Sequence, residues 1–172
     1  MIGILVVTHG RIAEELVGAA RTIVGDVPRI AAVSIGWSDD PAAANAAIER
    51  GLAEVGGDDT LVLTDMFGGT PTNLSLPYLS EKVEIVTGVN LPMIIKASAL
   101  REGALVEVAR AVREQGKGAI YVASEILARR PSCSAGRSPS ATAWGSTPGP
   151  PRASSTPRAG SARGSPPLAT AG

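Results

Sequence analysis

Ile2-Gly3-Ile4-Leu5-Val6-Val7 opens the chain as an unbroken apolar run, and Thr8-His9-Gly10 follows it directly. A run without polar alternation is the pattern of a strand covered on both faces. Such a sheet needs helices on either side, and helical periodicity comes next. Ile12, Leu16, Ala19, Ala20 and Ile23 recur at helical spacing until Gly25 stops the helix. Ile30 to Ile35 reads as a second apolar strand. Asp40-Pro41 then offers an N-cap followed by proline at the first helical position, and Ala44, Ile48, Leu52 and Val55 share a face of the helix it starts. Thr60 to Thr64 gives a third strand and Val83 to Thr87 a fourth. Leu105, Val108, Ala109 and Val112 mark a late helix, and Ala119 to Val122 a last short strand. The alternation predicts an α/β fold: an open, mostly parallel sheet of four strands with helices on both faces, plus a short C-terminal strand at an edge.

In open parallel sheets, ligands bind beyond the C-terminal ends of the strands. That rule selects the loops at Thr8-His9-Gly10, Gly36-Trp37-Ser38, Asp65 to Pro71 and Gly88-Val89-Asn90. His9 is the only histidine, and it stands just past the first strand. Asp65 closes the third strand at the same edge. If those strands are neighbours, the carboxylate can accept from one ring nitrogen and leave the other as a nucleophile. The plainer alternative is that Asp65 caps the turn or helix after it. Phe67-Gly68-Gly69-Thr70-Pro71-Thr72-Asn73 follows directly. Gly68 and Gly69 allow a tight turn with converging amides, Thr70 and Thr72 add hydroxyls, and Pro71 suits a first helical turn, so the segment is a candidate phosphate cradle. Arg11, Trp37, Asn90 and Pro92 are candidates for the rim of the site or a partner surface. For Asn90 and Pro92 an ordinary strand-to-helix connection explains the pattern as well, and Trp37 could simply cover the sheet edge.

Composition excludes other chemistries. The 172 residues carry 16 basic and 16 acidic side chains, so no net field draws the chain to DNA or an anionic membrane. Aromatic residues amount to 3%, too few for the stacking platforms that hold single-stranded nucleic acid. One cysteine and one histidine cannot build a zinc cage or an internal disulfide, so neither metal nor cofactor is expected. No apolar run approaches the ~20 residues of a membrane span, which favours a soluble cytoplasmic protein. Walker A, Rossmann and G-x-S-x-G patterns do not occur. Asp39-Asp40 and Asp58-Asp59 border helices and turns, where capping explains them better than metal binding.

The composition breaks after Arg130. Residues 131–172 are rich in Ser, Pro, Ala and Gly, with four arginines, no acid and Leu168 as the only large aliphatic. A segment so poor in apolar side chains cannot offset about 1–2 kcal/mol of backbone entropy per residue, so it reads as disordered and without chemistry. The chain divides accordingly into 1–130, the folded unit, and 131–172, a tail that is either a frameshift product or a genuine linker. Cys133 falls in the tail and is incidental. Reading the gene in its other two frames separates the two origins.

Three segments taken together resemble the IIA component of the mannose family of the sugar phosphotransferase system. They are Val7-Thr8-His9-Gly10, Asp65-Met66-Phe67-Gly68-Gly69-Thr70-Pro71-Thr72-Asn73 and Gly88-Val89-Asn90-Leu91-Pro92-Met93. The resemblance implies that His9 is phosphorylated by phospho-HPr and passes the group to a IIB component, and through it to a IIC/IID permease. It implies that Asp65 hydrogen-bonds the imidazole and that Thr70 stands near the phosphate. It further implies a homodimer in which a C-terminal strand, here Ala119 to Val122, is exchanged and pairs antiparallel in the partner's sheet. The alternative is a regulatory module that is phosphorylated at His9 and signals through protein contacts.

Overall fold

A computed structural model describes residues 1–128. Four strands, β1 (Gly3–His9), β2 (Ile30–Ile35), β3 (Thr60–Thr64) and β4 (Val83–Thr87), form an all-parallel sheet in the order β2-β1-β3-β4. The helices are α1 (Ile12–Val24), α2 (Pro41–Val55), α3 (Thr70–Ser75), α4 (Leu91–Ala99), α5 (Leu105–Gly118) and α6 (Ala123–Ala128). Placing β1 in the interior explains its unbroken apolar run, because both of its faces are covered. Ile4, Val6, Leu61 and Leu63 pack on Ala13 and Val17 of α1, Met93 and Ile94 of α4, and Val108 and Val112 of α5. Leu5, Val7, Val33 and Val62 point the other way, onto Ala44, Ile48 and Val55 of α2. Each Val, Leu, Ile or Met among them contributes about 1.5–3 kcal/mol by leaving water.

Local chemistry sets the element ends. Asp40 caps α2, its carboxylate accepting the amides of Ala42 and Ala43 at 3.1 and 3.2 Å, with Pro41 in the first turn. Asn90 caps α4, its Oδ1 accepting the Met93 amide at 3.1 Å. The strand limits of β3 and β4 and the inward face of α5 match the sequence reading.

Three expectations are corrected. β1 runs on through Thr8 and His9, which pair with Ser34 and Ile35, so His9 is the last residue of a strand and not part of a turn. On α1 the buried stripe is Ala13, Val17 and Ala20, leaving Ile12 and Ile23 exposed. The Thr8 hydroxyl accepts the Ala13 amide at 2.7 Å and so sets the rotation of the first turn. Ala119 to Val122 form no strand: α5 continues through Gly118, and Ile120, Tyr121 and Val122 are 77%, 69% and 58% exposed. A short apolar segment becomes a strand only by pairing with an edge, and among the described residues none pairs with it. The tail expected over 131–172 lies outside the described residues.

Candidate functional site

The register of the sheet builds the site. Val7 is level with Thr64, so Asp65 leaves β3 beside the last residues of β1. Its Oδ2 accepts both the His9 backbone amide, at 2.9 Å, and the His9 ring at Nδ1, at 2.8 Å. Its Oδ1 accepts the Met66 amide at 2.9 Å. Asp65 therefore contacts the imidazole and the turn after β3 at once. Burial pushes the Asp65 carboxyl up, but the His9 amide, the His9 ring and the Met66 amide together outweigh it and hold the group below its ordinary value. A carboxylate only accepts, so the hydrogen of this contact sits on Nδ1 and the lone pair on Nε2.

The ring is held from other directions as well. Trp37 stacks on it with 5.0 Å between centroids and 16° between planes. Gly69 approaches its far edge so closely that a methyl group there would stand 2.7 Å from Cε1 and 3.4 Å from Nε2. The His9 side chain is 13% exposed. Trp37 (86% exposed), Phe67 (74%) and Met66 (56%) put large apolar side chains on the surface at this end of the sheet. The loop carrying Trp37 is firm, because the Gly36 amide donates to Asp39 at 2.6 Å immediately before the Asp40 cap.

The glycine turn divides its work differently from the sequence expectation. Gly68 takes φ +81°, which favours glycine, and its carbonyl accepts from the Asn73 side chain at 3.0 Å. Thr70 is exposed at the start of α3. Thr72 is not available to a phosphate: it is fully buried, donates to the Met66 carbonyl at 2.6 Å and shares a 2.7 Å bond with the Thr64 hydroxyl. It braces the turn from below. Arg11 pairs with Glu14 and Glu15 along α1, both at 3.4 Å, so its charge is balanced within that helix. Asn90 is committed at both ends of its amide, to Met93 and to the Gly116 carbonyl at 3.4 Å, and Pro92 lies in the first turn of α4. Those two residues build the helix start. The role of Met66 beside Gly69, and the stacking of Trp37, are features that only the structure supplies.

His9 lies at the C-terminal edge of the sheet with a small part of its side chain exposed. A groove of about 480 Å³ runs along β4 instead, lined by Phe67, Leu76, Ile85, Val106, Arg110 and Arg113 among others. A largely covered imidazole with one nitrogen not engaged by Asp65 and neighbouring turn amides suits reversible transfer of a small anionic group.

A family model described as PTS system fructose IIA component matches residues 3–112. The mannose-specific EIIAB component of Escherichia coli K12 is 32% identical over 109 residues, which cover 59% of this chain. The chain spans about a third (32%) of the length of that relative. The fructose-specific EIIA component of Bacillus subtilis is 26% identical over 131 residues, covering 74% of this chain and 90% of the relative. Among solved structures, the mannose/sorbose specific IIA subunit of the phosphotransferase system from Enterococcus faecalis aligns with a TM-score of 0.65 at 31% identity, over 70% of this chain and 92% of that one.

Proposed function

The chain belongs to the mannose family of phosphotransferase-system IIA components, and from that premise we propose that it carries a phosphoryl group on His9 between two protein partners in sugar uptake. The 2.8 Å contact between His9 Nδ1 and Asp65 Oδ2 carries this reading, because it leaves Nε2 as the one nucleophilic nitrogen. The Nε2 lone pair attacks the phosphorus of phospho-HPr. The Nε2–P bond forms as the P–N bond of the donor breaks, and its electron pair returns to the donor ring. The Nδ1 hydrogen stays in place, and Asp65 balances the positive charge that the ring acquires. The same steps run in reverse order onto a nucleophile of the IIB component, which hands the group towards a IIC/IID permease.

The Thr70 hydroxyl and the amides of the Gly68–Thr70 turn receive the phosphoryl oxygens, with no metal required. Trp37, Met66 and Phe67 offer an apolar collar on which HPr and IIB dock in turn. No helix among the described residues is long and apolar enough to cross a membrane; the protein partners proposed above place its action in the cytoplasm beside a membrane permease. The exposed Ile120-Tyr121-Val122 segment and the groove along the free edge of β4 support a homodimer formed by exchange of that segment.

Incubation with phosphoenolpyruvate, enzyme I and HPr, followed by intact-mass measurement, tests the reading. One acid-labile phosphate, absent from His9→Ala, is expected. An unmodified mass, or a phosphate retained in His9→Ala, would refute it. Phosphorylation without onward transfer to any IIB component would favour the regulatory alternative.

A further inference from the structure

Trp37 lies 28 positions from His9 in the sequence, yet its indole stacks on the imidazole at 5.0 Å and 16°. Only 14% of a typical tryptophan surface is covered there, so fold stability does not require this side chain at that place. Its loop is nevertheless fixed, by the Gly36–Asp39 contact and the Asp40 cap of α2. An exposed aromatic on a rigid base, with one face on the only histidine, is placed to act on that ring.

We propose that Trp37 is a positioning residue that stabilises the phosphorylated His9 ring as a cation and shields one face of it from water. The inference rests on phosphorylation of His9. With the Nδ1 hydrogen held by Asp65 and phosphorus on Nε2, the ring carries positive charge, whereas the tautomer with hydrogen on Nδ1 and a lone pair on Nε2 carries none. An indole within about 6 Å of a cationic ring attracts it through its negative face, and tryptophan does so better than tyrosine or phenylalanine. Loss of the phosphoryl group to water removes that charge. The water oxygen bonds to phosphorus, the Nε2–P bond breaks with its electron pair returning to Nε2, and the released protons go to solvent. Stacking therefore favours the loaded ring over the products of its cleavage.

Potassium phosphoramidate loads histidine directly, releasing ammonia as its own P–N bond breaks, and needs no partner protein. The wild-type chain, Trp37→Phe, Trp37→Tyr and Trp37→Leu are loaded in this way, and phosphate loss is followed by intact mass. Trp37→Leu is expected to lose phosphate roughly 2- to 30-fold faster than wild type, with Trp37→Tyr and Trp37→Phe intermediate. Equal lifetimes for wild type and Trp37→Leu would overturn the inference and leave Trp37 as a docking residue only. An aromatic variant no better than leucine would overturn it too. A wild-type chain loaded by the reagent but never by phospho-HPr would defeat the phosphocarrier reading alone and leave this comparison standing.

Discussion

Replacing Gly69 by alanine places a methyl group 2.7 Å from His9 Cε1 and 3.1 Å from Met66 Cγ. Carbon atoms in ordinary contact sit at about 3.5–4.0 Å, so the ring or the turn must yield by nearly 1 Å. The ring has little freedom, with Nδ1 held by Asp65 at 2.8 Å and the indole of Trp37 stacked on it. A misplacement of that size in a reacting group lowers rates by up to about 100-fold, and we expect phosphorylation by phospho-HPr to fall about 10- to 100-fold. Stability behaves differently. Gly69 has φ −74° and ψ 164°, which alanine adopts, so restriction of the unfolded chain favours the variant by about 0.4–1 kcal/mol while the contact with His9 and Met66 opposes it. The neighbouring Gly68→Ala is the control. It meets open space but sits at φ +81°, so it should lose about 1–2 kcal/mol of stability through backbone strain alone. Rapid-quench mass spectrometry reads the rates and urea unfolding reads the stabilities. A Gly69→Ala protein that accepts phosphate at the wild-type rate would refute the steric reasoning.

Asp65→Asn should slow phosphorylation by more than about tenfold in the same assay, because an amide neither fixes the Nδ1 hydrogen nor balances the ring charge. The Asp65 carboxyl is held below its ordinary value, so its stabilising effect is complete above the usual carboxylate range and disappears as pH falls through the depressed value. The urea-midpoint advantage of wild type over Asp65→Asn is therefore expected at pH 5 and should shrink below about pH 4. Thr70→Ala should slow phosphorylation by about tenfold or more with little change in unfolding, whereas Thr72→Val should cost about 1–3 kcal/mol of stability through its orphaned buried partners. Deleting residues 131–172 should leave the mass shift on phosphorylation intact, because every group placed around His9 lies between Thr8 and Thr72.

Much of the fold was legible because its signals are local. The Asp40-Pro41 cap, the limits of β3 and β4, and the face of α5 each depend on a few adjacent residues. The pairing of His9 with Asp65 was readable as a condition, needing only that β1 and β3 be neighbours, which the strand order satisfies. What stayed hidden depends on which groups become buried together. Thr8 looks like a turn residue but is fully buried, because its hydroxyl takes the Ala13 amide. Thr72 looks like a phosphate ligand until α3 turns it onto Thr64 and Met66. The stacking of Trp37 follows from the register of β2 on β1, where Ile35 is level with His9, and no spacing along the chain reports that. The segment 119–122 reads as a strand by composition, yet composition does not say which edge, if any, it pairs with.

Which ring nitrogen holds phosphorus is the most direct measure of the site. Histidine-labelled protein, loaded from phosphoenolpyruvate through enzyme I and HPr, is compared before and after loading by nitrogen and phosphorus NMR. The geometry predicts one phosphorus on Nε2 of His9, with the Nδ1 hydrogen retained against Asp65. Phosphorus on Nδ1, or no phosphorus on His9 at all, would contradict it.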